Sequence, residues 1–558
     1  MKPPAFPKYL SASILILAAC AVKENPPGGP EDKTPPSVVS IRPEAGSTAI
    51  SPETVFRIVF SEPMEQTGTQ GAIFISPVFW DYPTFEWSGK QLTLTPPQPL
   101  RPNTTYILTI GAGATDSHRN KMGKSLTFAF STGTSIDSGA ISGVIYSEQR
   151  VLYDIWAYGI DDTSGTDFWL RIPDHVTQVD STGAFSIQHI GAGKYLVVGV
   201  DDTNDDLFWD PSAEALGLPS SITTLSRNQD IRGLVIRPER RDTTTSYITR
   251  VTPVNRQRVS IEFSQMPREA LTRNSNSYLI TWSDGDSVLG IGMAYIGEEN
   301  NLLLETAPQR PGEIYQLKGI GLFDAWGIPF DTSASMFTGT DRPDTTSPRL
   351  LMTIPPNNST SAYQDSVVEM TFSERLNILQ FNMAVTVIAD SVDTLGFLPA
   401  WITPNQVRLR FRSRLPRQRQ ILIRLASLHI QDMAGNAMRD SNLAVSFRLP
   451  RADTVGSVLA ELSPVVTPAV GSLVPIDAGG DSYKKNFNQA GILFFEAVMP
   501  GNYRLEYFED SDNSGEWSPG MIFPFKPAER FSFLPDTLVV RSRWTTEVGS
   551  VSLPQVAQ

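Results

Sequence analysis

Residues 60–64 read Phe-Ser-Glu-Pro-Met, and this pattern returns twice further along the chain. Residues 263–267 read Phe-Ser-Gln-Met-Pro, and residues 372–374 read Phe-Ser-Glu. The first two copies close short runs of alternating apolar and polar residues, at 55–60 and 259–263, and such alternation is typical of half-buried β-strands. A landmark that recurs at long intervals indicates a tandem array. The sequence therefore predicts a repeated β unit.

Three further landmarks follow each copy in the same order. A segment rich in proline and arginine leads into a strand at Tyr106, Tyr315 and Ile421. A turn that opens with aspartate follows, at Asp116, Asp324 and Asp432. A closing strand then ends the unit, at Phe130, Phe337 and Phe447. Four landmarks in one order make the repeat specific.

This unit resembles the bacterial immunoglobulin-like (Ig-like) domain of S-layer proteins, of the SbsA type. The first copy carries the family's Thr-Pro-Pro opening at residues 34–36 and its Phe-Ser-Glu-Pro-Met at residues 60–64, but its aspartate turn at 116–120 lacks the usual glycine. The second copy is degenerate, because it has Gln265 in place of the glutamate and lacks the opening. The third copy departs at Arg375. The resemblance implies β-sandwiches whose motif phenylalanine and tyrosine face the core.

A second unit occupies the wider gap between the first and second copies, and it returns at the carboxyl end. Each copy has a strand that begins with glycine and contains phenylalanine, at 183–187 and 491–495, followed by a Gly-x-Tyr corner and an acidic loop. In both copies the tyrosine and a tryptophan are 14 residues apart, in the pairs Tyr195–Trp209 and Tyr503–Trp517. This pattern resembles the transthyretin-like sandwiches known as carboxypeptidase regulatory-type modules. We expect both tryptophans to pack beneath the acidic loops.

The predicted fold is all-β, a tandem array of about five Ig-like and transthyretin-like β-sandwiches after a lipoprotein signal peptide. The predicted segments are a signal peptide at 1–19, a lipidated Pro/Gly tether at 20–33, and modules 1 to 5 at 34–134, 135–241, 242–341, 342–450 and 451–558. Short polar junctions that begin with Arg241, Arg342 and Arg451 separate the later modules. They predict a semi-rigid rod with module 5 at its far end.

Composition agrees with this class and excludes others. The 43 prolines and 40 glycines among 558 residues are spread along the chain, as expected for many short strands joined by turns. A net charge of −13 argues against nucleic-acid binding, which requires a concentrated basic face. Hydrophobic residues make up 40% of the chain, which is enough for packed cores.

Cys20 is the single cysteine of the chain, and it ends the run Leu17-Ala18-Ala19-Cys20. This run resembles the lipobox of bacterial lipoproteins, whose cysteine is lipidated and becomes the first mature residue. The apolar stretch at 9–22 is shorter than the roughly 20 residues that a membrane-spanning helix needs, so a signal peptide is favoured. The alternative is an ordinary secretory signal with a cysteine placed by chance. By resemblance to lipoprotein sorting, Ala21 rather than aspartate implies the outer membrane; periplasmic or surface orientation stays open.

The acidic loops of the second unit are candidate calcium sites, because oxygens at alternate positions can converge on Ca²⁺. The candidate ligands are Asp202, Asn204 and Asp206 in the inner copy and Asp510, Asp512 and Ser514 in the terminal copy. The bidentate glutamate of a calcium loop is missing, since Ala213 and Met521 hold the twelfth positions. The alternative is an acidic hairpin tip whose side chains cap their own backbone. Calcium is the single cofactor that the sequence suggests.

Two other functional classes have weaker support. The aromatic residues at 79–82 and Trp87 are dense enough for a glycan-binding platform, although alternation would bury about half of them. None of the four histidines pairs with another at metal-ligand spacing, and no Gly-x-Ser-x-Gly elbow occurs, so catalytic residues are not predicted. Paired carboxylates of a glycosidase type stay open.

The sequence therefore predicts a non-catalytic lipoprotein, anchored in the outer membrane through a lipid on Cys20, that acts as a spacer, scaffold or adhesion element of the cell envelope. The alternative is a surface lipoprotein that captures a glycan or an envelope protein, and a cell-envelope hydrolase comes third. Exposed aromatic rings would favour capture, and a pocket with paired carboxylates would favour the enzyme.

Overall fold

The structure is a computed structural model that describes residues 32–148, 153–160, 168–180, 182–241, 244–283, 287–360, 367–439, 443–522 and 524–555. The signal peptide, Cys20 and most of the tether lie outside these residues, so their assignments stay predictions. Across the described ranges, none of the helices combines the length and the apolar character that a membrane crossing requires.

Modules 1, 3 and 4 share one sandwich topology. Module 1 has the strands β1 to β7, at Val38–Arg42, Phe56–Phe60, Ile73–Ser76, Thr84–Ser88, Gln91–Thr95, Thr105–Ile110 and Leu126–Ser131, with helix α1 at Gln66–Gly71. The sheet β1-β2-β5-β4 faces the sheet β3-β6-β7. This agrees with the Ig-like architecture that the repeat implies.

Module 3 repeats this topology, with the sheet β17-β18-β21-β20 against the sheet β19-β22-β23. Its elements β17, β18, α2 and β19 to β23 lie at Ile248–Asn255, Arg258–Phe263, Glu269–Thr272, Tyr278–Trp282, Ile291–Ile296, Leu302–Thr306, Ile314–Gly319 and Ser335–Thr338. The degenerate sequence of module 3 therefore keeps the fold of module 1.

Module 4 pairs β24-β26-β30-β29 with β25-β32-β31-β27-β28, in which β25 and β28 extend the same frame. Its elements β24 to β26, α3 and β27 to β32 lie at Leu350–Ile354, Ser359–Thr360, Val367–Phe372, Ile378–Ala384, Val385–Ala389, Asp393–Leu395, Phe397–Thr403, Gln406–Phe411, Gln420–Leu425 and Leu443–Arg448.

Module 2 has a different topology, with a sheet β11-β8-β15 in which β8 and β15 run parallel. Its other sheet has the order β10-β9-β12-β13-β16, with β14 also paired to β12. Its strands β8 to β16 lie at Gly139–Ile145, Asp154–Ile160, His175–Gln178, Ala184–Ile190, Gly193–Val200, Ala215–Gly217, Thr223–Leu225, Asp230–Ile236 and Glu239–Arg240.

Module 5 repeats the topology of module 2. The sheet β36-β33-β40, with β33 and β40 parallel, faces β35-β34-β37-β38, with β39 also paired to β37. Its strands β33 to β40 lie at Gly456–Leu462, Ala469–Pro475, Tyr483–Asn486, Ile492–Val498, Gly501–Glu509, Phe531–Phe533, Leu538–Val540 and Thr545–Val551. The second repeat of the sequence is therefore a repeat of fold.

Alternation in the sequence explains the cores of the Ig-like modules. In β2, Phe56, Ile58 and Phe60 are buried, while Arg57 between them is exposed. Tyr106 of β6 enters the same core from the opposite sheet, and its hydroxyl accepts a hydrogen bond from the backbone N–H of Arg101 at 2.8 Å. This bond satisfies the buried hydroxyl of the tyrosine. The predicted inward-facing phenylalanine and tyrosine of module 1 are confirmed.

The aspartate turn has the same construction in all three Ig-like modules. In module 1, Oδ1 of Asp116 accepts hydrogen bonds from the backbone N–H groups of His118 at 2.7 Å and Asn120 at 2.8 Å. Asp324 and Asp432 bind the equivalent groups of their own turns. The position of the family glycine has a positive φ in each turn, and in module 1 it is held by Arg119 at φ 71°.

The expectation of a semi-rigid rod with module 5 at its far end is wrong, because module 5 packs against module 2. Residues 195–200 of β12 are buried without interruption, and strand alternation sends them to two different clusters. Tyr195 and Val197 lie in the core of module 2, whereas Leu196 and Val198 lie in a second cluster with Ala528 and Trp517 of module 5. A sheet with two apolar faces needs a cover on each, and module 5 is the second cover.

Candidate functional site

The candidate site is the loop of module 5 between β37 and β38, residues 510–530, which we call the clasp. It is the structural counterpart of the loop between β12 and β13 in module 2. The indole N–H of Trp517 donates to the carbonyl of Glu529 at 3.0 Å, and that of Trp209 donates to the carbonyl of Glu214 at 3.0 Å. Both tryptophans thus lie against their loops, as expected from the repeat.

The sequence reasoning missed a glutamate that closes each loop. The carboxylate of Glu529 accepts hydrogen bonds from the backbone N–H groups of Ser511 at 2.7 Å and Ser518 at 3.0 Å. The carboxylate of Glu214 accepts from the equivalent groups of Thr203 and Asp210, each at 2.9 Å. Both glutamates are buried. Burial raises the pKa of Glu529, and the charge of Asp512 raises it further against its hydrogen bonds.

The predicted calcium ligands of the inner loop make local turn contacts. Oδ2 of Asp202 accepts from the N–H of Leu207 at 3.0 Å, and Oδ1 of Asn204 accepts from the N–H of Asp206 at 3.1 Å. Asp206 in turn accepts from the N–H of Phe208. These are the backbone caps that the alternative interpretation predicts. Asn204 stands where the clasp has Asp512, so the inner loop has a neutral side chain at that one position.

The clasp brings three carboxylates together. Asp510, Asp512 and Glu529 each offer an oxygen within 4.8 Å of the other two. Oδ2 of Asp510 accepts from the N–H of Gly515 at 3.1 Å, as Asp202 does in the inner loop. The predicted ligand Ser514 instead donates its hydroxyl to the carbonyl of Glu516 at 2.9 Å. The structure therefore groups two of the predicted ligands with a glutamate that lies far beyond the twelfth position.

Each of the two loops contains a buried carboxylate oxygen without a hydrogen-bond partner. Oδ1 of Asp510 is sealed from solvent and has no hydrogen-bond partner among the described residues, and the same is true of Oδ1 of Asp202. Asp510 itself is 3% exposed. An unsatisfied buried carboxylate oxygen is unfavourable unless something compensates for its lost hydration.

The clasp makes direct hydrogen bonds to module 2. Ala528 donates its backbone N–H to the carbonyl of Pro219 in module 2 at 3.0 Å. The guanidinium of Arg241 donates to the clasp carbonyls of Pro519 at 2.7 Å and Gly520 at 3.3 Å. Arg241 opens one of the predicted polar junctions, and the structure buries it at 2% exposure. Burial lowers its pKa to about 10.

Arg237 of module 2 lies at the centre of this interface. Its guanidinium stands over the rings of Trp517 at 4.8 Å and Phe531 at 5.2 Å, and it forms an ion pair with Glu506 at 3.8 Å. Tyr146 of module 2 donates its hydroxyl to Glu506 as well. Burial, together with this carboxylate, raises the pKa of Tyr146. Cation–π contacts and a charged hydrogen bond therefore hold the two modules together.

A buried ion-pair network joins modules 3 and 4. The guanidinium of Arg258 contacts Glu374 at 2.7 Å, Asp344 at 3.4 Å and Glu305 at 3.4 Å. Glu374 is the glutamate of the third Phe-Ser-Glu motif, so in module 4 this motif receives an arginine from the preceding module. Module 1 groups the equivalent Glu62 with three other titratable residues, Asp32, Asp116 and His118.

A cleft of about 490 Å³ lies between modules 1 and 2. Its carboxylate Asp174 forms ion pairs with Arg171 at 3.3 Å and Arg101 at 3.5 Å. His175 is buried and bonded through Nδ1 to the hydroxyl of Ser76 at 2.6 Å, and burial lowers its pKa to about 4. Arg101 with Asp174 and Ser76 with His175 are thus contacts between modules 1 and 2.

The aromatic group of module 1 divides between core and surface. Phe79 is buried and stacks on Tyr106 at a centroid distance of 6.2 Å, and Trp87 stacks on Phe60 at 6.1 Å. Trp80 is 68% exposed and Tyr82 is 81% exposed. Two of the four aromatic residues are therefore available to a ligand.

Three solved structures to which this chain is similar are distant likenesses. The N-terminal part of the bacterial S-layer protein SbsC is 12% identical at a TM-score of 0.17, over 37% of this chain and 44% of that one. Domains 1–6 of SbsC are 12% identical at a TM-score of 0.16, over 86% of this chain and 66% of that one. BcpA, the major pilin subunit of Bacillus cereus, is 10% identical at a TM-score of 0.13, over 75% and 99%.

With TM-scores this low, none of these likenesses bears on what the chain does. This chain spans less than half of the first structure. No curated protein matches the sequence. The model of the bacterial Ig-like domain family matches residues 32–132 and 344–449, which correspond to modules 1 and 4. The chain is therefore a tandem protein that carries bacterial Ig-like domains at residues 32–132 and 344–449.

Proposed function

We propose that the chain is a non-catalytic structural or adhesion protein of the bacterial cell envelope, held in the outer membrane by a lipid on Cys20. The observation that carries this proposal is the use of the conspicuous charged groups. Arg237, Arg241, Arg258 and Asp174 are all engaged in contacts between modules. Ion pairs, hydrogen bonds and cation–π contacts between modules fix the positions of the sandwiches relative to one another, as a scaffold requires.

The lipid anchor has a direct test in Cys20→Ala. The unlipidated chain should leave the membrane fraction of the cells that produce it, because the acyl chains are its proposed hold on the bilayer. Ala21→Asp is the matched control, since it keeps the lipid and should move the protein to the inner membrane. Cys20→Ala protein that stays in the outer-membrane fraction would refute the anchor.

Capture of a glycan or of an envelope protein is the second candidate, and the exposed Trp80 and Tyr82 favour it. Flat exposed aromatic rings offer apolar area together with a polar edge, which suits sugar faces and protein partners alike. The test is retention of the soluble chain on insoluble peptidoglycan. The double variant Trp80→Ala/Tyr82→Ala should lose retention, whereas Trp544→Ala, which removes a tryptophan that is 71% exposed on module 5, should keep it. Equal retention of all three proteins would exclude this platform.

A further inference from the structure

Three carboxylates of the clasp lie close together, and their hydrogen bonds leave one buried carboxylate oxygen without a partner. Asp510, Asp512 and Glu529 place three oxygens within 4.8 Å of one another. Oδ1 of Asp510 is buried and has no partner within the described part of the chain, in a residue that is 3% exposed. Three carboxylates at this spacing repel one another unless a cation lies among them.

We propose that Asp510, Asp512 and Glu529 bind one Ca²⁺ ion, and that this ion holds the clasp in the conformation that packs against module 2. Ca²⁺ takes six to eight oxygen ligands in flexible geometry, so three carboxylates supplemented by water satisfy it. A carboxylate oxygen has two lone pairs. Glu529 therefore keeps its bonds to Ser511 and Ser518 while it faces the ion.

The ligand set differs from the one that alternate spacing suggests. The twelfth position counted from Asp510 is Met521, so the third carboxylate comes from Glu529 instead. Glu529 lies further along the chain than Glu214 does in module 2, because the segment between Ser518 and Glu529 is longer than the one between Asp210 and Glu214. The hydrogen bonds of Glu529 to Ser511 and Ser518 bring it back to the start of the loop. The inner loop has Asn204 in place of Asp512, and affinity for Ca²⁺ depends on the number of charged ligands. The clasp is therefore the site with the higher affinity.

The ion would couple to the interface through the covalent chain. Asp510 and Glu529 begin and nearly end the clasp, and the segment between them holds Trp517, Met521 and Phe525. Trp517 and Phe525 pack into the cluster shared with module 2. Fixing both ends of this segment restricts its conformations before it packs, which lowers the entropy lost on closure.

The test uses the whole mature chain, made soluble by Cys20→Ser, with CaCl₂ or with EGTA. Calcium should raise its melting temperature, because a ligand that binds the folded state alone stabilises it. The decisive variant is Asp512→Asn, which keeps the Oδ1 that accepts from Ser514 and removes one charge. Its affinity for Ca²⁺ by titration calorimetry should fall at least about tenfold. Its melting temperature in EGTA should be no lower than the parent's, because one of three mutually repelling charges is removed. Asp536→Asn, an exposed carboxylate of the same module, is the matched control and should bind as the parent does.

Hydrogen exchange of residues 511–528 provides the second readout. Calcium should slow exchange in this segment of the parent chain and leave it unchanged in Asp512→Asn. The site is refuted if the melting temperature of the parent chain does not change with calcium. It is also refuted if Asp512→Asn binds calcium with the affinity of the parent. Binding without any change in exchange overturns the link between the ion and the clasp.

Discussion

Single residues in this protein hold conformations or charge states that their surroundings impose. Arg119 has φ 71° at a position where modules 3 and 4 have glycine. His175 lies between modules 1 and 2 with a pKa near 4, where its positive charge is excluded. Both residues depart from what a free peptide would adopt, so a single substitution measures the cost of each.

Arg119→Gly should stabilise module 1 by about 1 kcal/mol, because a side chain in the left-handed region is strained and glycine is not. Arg119 is exposed, so the substitution removes little packing. Calorimetric melting of the mature chain measures the change. Arg119→Ala keeps the Cβ and should give no such gain; a gain equal to that of glycine would mean that the strain lies elsewhere.

His175 should make the junction of modules 1 and 2 sensitive to acid. Its pKa falls from 6.5 to about 4 on folding because burial disfavours the charged ring. Between these values the unfolded chain binds the proton and the folded chain does not, so this stability is complete above pH 6.5 and is lost as the pH falls. The free-energy advantage of the parent over His175→Asn should shrink by about 2 kcal/mol from pH 7 to pH 5.

Urea unfolding of both proteins at the two pH values checks this prediction. Other groups that titrate, among them Asp154 with a pKa raised to about 7 by burial, contribute equally to both proteins and cancel in the difference. A difference between parent and variant that stays constant with pH would show that His175 is not the titrating group.

At the scale of elements, turns and loops of one module serve as contact surfaces for another. The aspartate turn of module 3 ends at Gly327, and a Cβ at this position would collide with Met521 of the clasp. The same turn in module 4 ends at Gly435, where a Cβ would meet open space. Both glycines have positive φ, so the two turns differ in their surroundings rather than in their backbone.

Gly327→Ala should therefore destabilise the chain more than Gly435→Ala. Each alanine incurs the strain of positive φ, about 1 kcal/mol, and Gly327→Ala also displaces Met521 from its contact, which adds at least about 1 kcal/mol. Chemical denaturation gives the two values. Faster hydrogen exchange around Met521 in Gly327→Ala alone would locate the difference in the clasp, and equal effects of the two variants would contradict the contact.

The sequence predicts those strands of this protein that have one buried face and one solvated face. The alternating runs at 91–95, 106–110, 407–411 and 420–425 became strands because a buried face and a solvated face leave a period of two in the sequence. Glu529 was not predictable in the same way, since a hydrogen bond, rather than a fixed spacing, brings it to Ser511. Loop length is free to vary while that bond is kept.

At the scale of the whole molecule, modules 2 to 5 form a closed circuit of contacts. Arg241 of module 2 stands over Trp326 of module 3 at 5.4 Å, and Arg414 of module 4 pairs with Glu496 of module 5 at 2.7 Å. The clasp of module 5 then packs against module 2 and closes the circuit. The sequence held a signal for this closure in residues 195–200, where apolar residues run without alternation. A run of this kind indicates a strand covered on both faces, but it does not identify the cover.

Trp517→Ala should loosen this closure. The substitution removes the ring beneath Arg237 and the hydrogen bond to Glu529, and truncation of a packed tryptophan costs about 3 kcal/mol. Small-angle X-ray scattering should then report a larger radius of gyration. Trp544→Ala, the exposed tryptophan of the same module, should leave the scattering unchanged; an unchanged curve for Trp517→Ala would show that other contacts suffice.

The contact between modules 2 and 5 also decides how the chain would respond to a pull. Gln555, near the carboxyl end, lies beside Ile236 and Pro219 of module 2. If the proposed lipid on Cys20 holds the chain, tension between the membrane and Gln555 would pass through module 1 and the contact of modules 2 and 5, while modules 3 and 4 carry little of the load. When that contact parts, two folded sandwiches are released as extra length before any β-sheet unravels. The contact of modules 2 and 5 would thus separate first under load, and modules 3 and 4 would then extend the chain without unfolding.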